Sequence, residues 1–476
     1  MSFLLQSFIG WIILSVIYSV FVFLNMPKNF HMFQLNSYKN KTHLKWIFSN
    51  YIKCYRITKN KNSKKPIVYT RRLVTMIIAI AVIQFIVICL GFLTECIPLV
   101  LLVLFLLTPF YPIIGNIFCS PIEKAYRRYY INDAKHILKE VNPIVIGITG
   151  SYGKTSVKYF LTTLLQAKYE TLMTPESFNT PMGVVKTIRE QMRPTCQIFV
   201  CEMGARQEWD IKEICDIVNP KYGIITSIGE QHLETFKSID TIIKTKFELA
   251  ESAEILFLNG DNSYITAHLP KKTYFLYGLN GKDYKADNIK VTLTGTTFGV
   301  NEYSDLQVKL VGEHNIQNLN GAIAVALYLG VDIEDIRTQL RKIVSPPHRL
   351  ELKRQNGVTI LDDAYNSNPA GCLAALKTLS LFEGLKILIT PGMVELGEKQ
   401  NECNRIFGEQ AAEVCDYVYL IGKKQTVAIY EGLKAKNYSD EKIIILEDVR
   451  VAINKAMGLE GEKIILLEND LPDNFL

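Results

Sequence analysis

The sequence predicts an α/β protein in three parts: three N-terminal transmembrane helices, a central P-loop-type α/β domain and a C-terminal Rossmann-like α/β domain. Three observations predict it. Long uncharged apolar tracts lie within the first 118 residues. The run "IVIGITGSYGKTSVKYFLTTLL" then reads as strand, glycine turn and helix. Beyond residue 346, β-rich runs alternate with helical stretches, the pattern of a sheet covered by helices. These observations assign residues 1–120 to the membrane region, 121–345 to the central domain and 346–476 to the C-terminal domain.

The first apolar tract, Phe3 to Leu24, carries no charge and is long enough to cross about 30 Å of hydrocarbon as a helix. It has neither a basic n-region nor an A-x-A site, so it does not read as a cleaved signal peptide. Leu73 to Phe118 is too long for one crossing, and "GFLTECIP" divides it into spans of about 73–93 and 97–118. Between the first two spans, Lys28 to Arg72 holds twelve Lys/Arg and no Asp or Glu. Such a loop (28–72) stays in the cytoplasm, which puts the N-terminus outside and returns the chain to the cytoplasm after about residue 120. The outward turn carries Glu95 and no Lys or Arg, in agreement.

Without that basic segment the chain has 41 basic and 47 acidic residues, so the net +6 is local and requires no nucleic-acid partner. The loop suits anionic membrane lipid, although a solvated positive-inside loop explains the same charges. Ten cysteines include no CxxC pair and no Cys/His cluster at zinc spacing, and read as reduced intracellular thiols.

The stretch Thr149, Gly150, Ser151, Tyr152, Gly153, Lys154, Thr155, Ser156 follows the buried-strand pattern "IVIGI". Beyond it, Val157, Phe160, Leu161, Leu164 and Leu165 recur at helical spacing. A strand, a glycine turn and a helix N-terminus aim backbone N–H groups at an anion. Gly150 and Gly153 permit close approach, Lys154 reaches the β/γ-phosphates of a nucleotide, and the Thr155 hydroxyl holds Mg²⁺. The spacing departs from GxxxxGK[ST], which would need glycine at Ile148, so an ordinary tight turn is the competing reading. "QIFVCEMGA" is a second strand, delivering Glu202 at its carboxyl end. Two hard oxygen donors, Thr155 and Glu202, fit Mg²⁺.

Further motifs follow in order: "SFNTPMGV", "CEMGA", "GEQHLETF", "IIKTKFELAE", "GEHNIQNLNGAIAVA", "HRLE" and "DDAYNSNP". With "TGSYGKTS" they resemble the Mur ligase family, which joins a carboxylate to an amine using ATP. The resemblance spans about residues 143 to 460. "DDAYNSNP" and "CEMGA" are most similar to the member that adds D-alanyl-D-alanine to a UDP-muramoyl-tripeptide. The resemblance implies ATP, two Mg²⁺ ions, His232 at the second ion, Asn315 on the adenine, Arg349 on the phosphates and Asp363 toward the ribose. It also makes Asn179 ("SFNTP") and Asn366 candidate substrate contacts. Taken alone, a loop histidine is an ordinary surface residue, Asn315 a helix cap and "NSNP" turn chemistry.

Lys246 has its own argument. It falls on the apolar face of a helix with Ile239, Ile242, Ile243 and Ala250, where desolvation lowers an amine's pKa. Related ligases carry a carbamylated, metal-binding lysine here; snorkelling of the amine to water is the alternative.

Two departures from the family stand out. Three membrane spans occupy the place of the usual UDP-binding domain, and a "KGSR"-like C-terminal stretch is replaced by "LLENDLPDNFL". A DNPR-like signature is also absent. The expected function is thus an ATP-dependent, amide-forming ligase acting through an acyl phosphate. It would sit as a multi-pass protein of the bacterial cell membrane with cytoplasmic ligase domains. Its partners would be a carboxylate acceptor from cell-wall (peptidoglycan) precursor synthesis and an amine-bearing amino acid or dipeptide. Two rival readings are a membrane ligase of the poly-γ-glutamate synthetase kind, acting on a lipid-linked or surface polymer, and an ATP-binding membrane adaptor. The intact Lys154, Glu202, His232 and Lys246 argue against the adaptor. The sequence leaves the oligomeric state open.

Overall fold

In hydrocarbon a backbone must bond to itself, so long apolar segments become helices. The computed structural model describes residues 2–36, 38–56, 66–176, 178–231, 233–292, 294–355, 357–365 and 367–469. The chain divides into two units, the first reaching Tyr129 and the second beginning at Tyr130. In the first unit the helices are Ser2–Leu35, Asn40–Cys54, Arg71–Leu93 and Ile97–Leu107, and a 3₁₀ turn, Thr108–Phe110, leads into Tyr111–Val141. Among the described residues three stretches are long and apolar enough to cross a membrane: Phe8–Leu35, Arg71–Leu93 and Ile97–Val141. Tyr18, Val22, Phe30, Leu73, Met76, Ile80 and Leu104 form a buried seam, while Ile12, Val16, Phe23, Val82, Phe85 and Leu90 face outward.

The helices outrun the apolar tracts that predict them. The first continues past Leu24 to Leu35 with Pro27 inside it, and the third continues past Phe118 to Val141. A charged residue changes the preferred solvent, not the backbone; "EKAYRRYYINDAKHILKE" is rich in good helix formers. Likewise the basic loop is not all loop, because residues 40–54 form a helix.

In the second unit the first sheet has nine strands: β1 (Ile144–Thr149), β2 (Thr171–Met173), β3 (Ile198–Glu202), β4 (Tyr222–Ile225), β5 (Ile255–Asn259), β6 (Thr273–Gly278), β7 (Tyr284–Thr292), β8 (Gly295–Val300) and β9 (Tyr303–Val308). Their order is β2-β3-β1-β4-β5-β6-β7-β8-β9. The pairs from β2 to β7 are parallel, and β7, β8 and β9 are antiparallel. Parallel strands are buried on both faces, which explains runs such as "IVIGI" without alternation. One face packs on helices Lys154–Leu165 and Glu313–Tyr328 through Val157, Phe160, Leu161, Leu319 and Ile323. The other packs on Pro181–Gln191, Asp210–Val218 and Ile239–Ser252 through Ile188, Ile214, Ile242 and Leu249. Chain order reverses beside β1, so ligand space opens at the carboxyl ends of β1, β3 and β4.

The second sheet has six strands: β10 (Glu351–Gln355), β11 (Val358–Asp363), β12 (Leu385–Thr390), β13 (Tyr417–Ile421), β14 (Ile443–Leu446) and β15 (Lys463–Glu468), in the order β10-β11-β15-β12-β13-β14. Only β10 is antiparallel to its neighbour. The stretch that departs from the family pattern, "LLEND", therefore ends a central strand, β15, paired to β11 with Glu468 opposite Asp363.

Phe257 is fully buried, stacked on Phe275 at 5.4 Å and edge-on to Tyr328 at 5.6 Å. Phe257→Ala should cost about 3–5 kcal/mol through the cavity it leaves. Thermal denaturation of the detergent-solubilised chain checks this.

Candidate active site

β1 ends at Thr149 and the chain turns through Gly150 (φ 151°) and Gly153 (φ 82°) into the helix that starts at Lys154. A Cβ on Gly150 would collide with Thr226 and Ser227, and one on Gly153 with the Asn318 amide. The two glycines therefore let the loop lie against β4's end and the Glu313–Tyr328 helix. β4's end grips the loop: Ser151 N–H donates to Ser227 O (2.8 Å), Tyr152 N–H to Ser227 Oγ (2.8 Å) and Thr226 Oγ1–H to Tyr152 O (2.5 Å).

The loop side chains divide by role. Thr149 Oγ1 donates to Met203 O (3.0 Å) and Ser151 Oγ to Gly229 O (3.0 Å); both residues are buried and anchor the loop. No side chain caps the following helix, so its leading N–H groups, from Lys154, Thr155 and Ser156, are left for a ligand. The Lys154 amine lies back on the loop, donating to Gly150 O (2.6 Å) and Ser151 O (3.0 Å). Desolvation lowers its pKa to about 8, with Glu202 opposing the shift and Arg349 adding to it. A glycine-bounded hollow, unmatched N–H donors and a cation within it fit a phosphate chain.

Glu202 ends β3 and is 1% exposed. Its Oε2 accepts from Thr155 Oγ1 (3.1 Å) and pairs with the buried Lys158 amine at 2.9 Å; its Oε1 accepts from Asn179 Nδ2 (3.0 Å). Burial pushes this carboxyl up, but Lys158, Lys154 and the Asn179 amide outweigh it and hold the pKa below the ordinary value. A permanently ionised carboxylate touching a threonine hydroxyl is a donor set suited to Mg²⁺. Lys158 escaped the sequence reading; it lies four residues past Lys154, and only the fold buries it against Glu202.

Lys246 is 2% exposed, between the buried Ile242, Ile243 and Ala250. Among the described residues no hydrogen bond or ion pair reaches its amine, and the Phe236 ring lies 5.9 Å away. The amine does not snorkel. Burial, aided by Lys154, lowers its pKa well below that of an ordinary lysine, with Glu248 and Asp210 opposing.

Lys154 feels the charges of Glu202 and Arg349, Lys246 feels that of Lys154, and Arg349 that of Glu202, so Lys154 and Glu202 link the groups. Asn315 is buried and donates to Val311 O (2.9 Å); the residue of that motif touching the loop is Asn318, one turn on. Its neighbour His314 is pushed by burial down to about 4, so it is neutral at pH 7.

Arg349 stacks on Tyr365, 4.0 Å from the ring centroid, and burial lowers its pKa with Asp363 opposing. Asp363 ends β11 and accepts the Leu350 N–H at 3.0 Å. Its carboxyl is raised to about 6 by burial, opposed by Arg349. Beside it Glu468, on β15, is raised well above an ordinary carboxyl by burial and by Asp363, and accepts from Ser367 Oγ (2.5 Å). His232 and Asn366 lie outside the described residues.

Residues 148–326 match the Mur ligase middle domain, and residues 348–467 match the Mur ligase glutamate ligase domain. The chain is 28% identical over 347 residues to the UDP-N-acetylmuramoyl-tripeptide–D-alanyl-D-alanine ligase of Haemophilus influenzae, covering 70% of this chain and 75% of that protein. With the Bacillus subtilis ligase of the same name it shares 28% identity over 330 residues, covering 66% of this chain and 71% of that protein. The solved MurF ligase of Thermotoga maritima in complex with ADP superposes with a TM-score of 0.65 at 27% identity, covering 72% of this chain and 80% of that one.

Lys158→Met should destabilise the chain by about 3–5 kcal/mol, because it strands the buried Glu202 charge. Adding Glu202→Gln should restore part of the loss, which thermal denaturation of both variants reads. Asp363 gives a pH signature. Its folded pKa is raised, so its contribution to stability is present below about pH 4, the ordinary aspartate value, and is lost as pH rises through about 6. Asp363→Asn keeps the acceptor for Leu350. Without nucleotide, its denaturation temperature should therefore gain on wild type between pH 4 and pH 7.

Proposed function

Because the chain belongs to the Mur ligase family, whose members are ATP-dependent ligases that form C–N bonds, we propose that it adds D-alanyl-D-alanine, or a similar amine, to a UDP-muramoyl-peptide or related cell-envelope precursor at the inner face of a bacterial membrane. The acceptor carboxylate attacks the γ-phosphorus of ATP, releasing ADP and leaving an acyl phosphate. The amine then attacks the acyl carbon, inorganic phosphate leaves, and the nitrogen loses a proton as the amide forms.

The chain's residues divide this work. Backbone N–H groups from Gly153 to Ser156, with Lys154 and Arg349, neutralise charge that grows on the transferring phosphoryl group. Thr155 and Glu202 would hold Mg²⁺, which when bound supplies Lewis-acid stabilisation of phosphate oxygens. Burial shifts Lys246 toward the neutral amine that carbamylation by CO₂ requires, and the carbamate would add an oxygen donor for a second Mg²⁺ together with His232. Asn315 and Asn318 bound the base side and Asp363 the ribose side, with Asn179 and Asn366 toward the substrates. The phosphate loop belongs to the first sheet and Arg349 leads into the second, and closure of the C-terminal domain (346–476) over the central one (121–345) would exclude water from the acyl phosphate.

The observation that carries this reading is the uncapped helix N-terminus, with the Lys154 amine lying in its loop and Thr155 bonded to the buried Glu202 carboxylate. The three apolar helices favour one variant of it, a lipid-linked acceptor or surface polymer in place of a UDP-linked one. Purified chain, ATP and a panel of muramoyl and lipid-linked acceptors should release ADP. Hydroxylamine should trap a hydroxamate, and Lys154→Ala should abolish both signals. ATP binding without any hydroxamate from any acceptor would overturn the proposal.

A further inference from the structure

Helix Asn40–Cys54 is pinned at both ends inside the first unit. At its start, Asn116 Nδ2 donates to Asn40 Oδ1 (2.9 Å); at its end, Asn25 Nδ2 donates to Cys54 O (2.8 Å). The Tyr51 and Tyr55 hydroxyls donate to Leu106 O at 3.2 and 3.0 Å. His43, Ile47 and Cys54 form its buried face. With that face fixed, the rest of the surface has a definite direction, and it is not what water would select.

Leu44 and Phe48 lie one turn apart before a kink at Asn50 (φ −135°, ψ 24°), Ile52 follows just beyond it, and the three are 37%, 71% and 79% exposed. Beside them Lys41, Lys45, Ser49 and Lys53 are all exposed. The helix thus presents an apolar stripe beside a cationic one, next to helices whose own outward faces are apolar. Between Lys28 and Arg72 no acidic residue is available to balance these charges. Lys28 donates to Lys53 O at 2.7 Å, and Arg56 lies beyond it, so cations gather at the helix end as well. An apolar stripe flanked by lysines and tyrosines is the signature of a helix lying in a membrane interface.

We propose that helix Asn40–Cys54 is an interfacial helix, its Leu44/Phe48/Ile52 stripe seated at the acyl boundary of the inner leaflet and its lysines holding the headgroups of anionic phospholipid. This rests on the reading that the three apolar helices cross a membrane. It goes beyond a solvated positive-inside loop, because a solvated loop has no use for Phe48 and Ile52 on its surface.

The test places a tryptophan reporter at Phe48 (Phe48→Trp) and, separately, at Phe85 in the second crossing helix (Phe85→Trp). The full chain is reconstituted in vesicles of phosphatidylcholine and phosphatidylglycerol, against a parent signal from its three native tryptophans. Both reporters should be quenched by lipid carrying brominated acyl chains and protected from aqueous iodide. Quenching of Phe85→Trp by bromolipid but of Phe48→Trp by iodide would overturn the proposal and leave the membrane reading standing. Quenching of both by iodide would remove the membrane reading and the proposal together. Native mass spectrometry of detergent-released protein reads the headgroup half. Phosphatidylglycerol should be retained over phosphatidylcholine, and a Lys41→Gln/Lys45→Gln/Lys53→Gln variant should retain about tenfold less. Equal retention of the two lipids, or no loss in the triple variant, would overturn it.

Discussion

The site is organised by one buried charge. Glu202 is 1% exposed at the end of a central strand, and an isolated carboxylate there would be heavily disfavoured by desolvation. Lys158 on the phosphate-loop helix, Thr155 at that helix's start and Asn179 from the following connection all meet on its two oxygens. The Glu202 backbone N–H also donates to Thr174 Oγ1 at 3.0 Å. The phosphate-loop helix and the connection that holds Thr174 and Asn179 are thereby fixed to the end of β3. A carboxylate offers about four acceptor positions, so three donors leave capacity for a hard cation. Lys158 keeps the group ionised before any cation arrives.

Lys154 completes this logic from the opposite side. Its amine lies on the carbonyls of Gly150 and Ser151, which keeps it satisfied inside the loop that a nucleotide would share. The loop itself is held in shape by Ser227 and Thr226 at the end of β4. Positive groups are therefore preorganised where anionic charge will develop, and little reorganisation is left to the reaction.

The central domain was legible because its signals are local. "IVIGI" and the period of Val157, Phe160, Leu161, Leu164 and Leu165 read directly as a buried strand and the helix covering it. Lys246 was legible in part: its place on an apolar helical face could be read, but whether the amine stays buried or snorkels to water is decided by the packing around it. Lys158 was not, because its partner Glu202 is 44 residues away and only the sheet brings them together. Strand β15 was missed because only its end, within "LLENDLPDNFL", was set against a family pattern, and the apolar run "KIILLE" went unread. The antiparallel β7–β9 extension also went unread, though Gly295 and Asn301, both at positive φ, mark its turns. In the membrane region hydropathy reported where the solvent changes, and the helices obeyed backbone propensity past that point.

The arginine shows how strain and charge are coupled. His348 and Leu350, on either side of Arg349, both have positive φ, at 58° and 51°. For a leucine this is a rare conformation, worth roughly 1–3 kcal/mol of strain unless its surroundings enforce it. Here they do: the Leu350 side chain is buried in the second sheet's core, and its N–H is held by Asp363. Pro346 and Pro347 lie just before the turn, and Tyr365 stacks on the guanidinium after it. Arg349 is therefore fixed to the second sheet, whereas Lys154 is fixed to the first. An exposed ion pair between Lys399 and Glu230 is among the contacts bridging the two sides, and exposed pairs hold weakly. The proposed site thus draws its positive charge from both sheets, Lys154 from the first and Arg349 from the second.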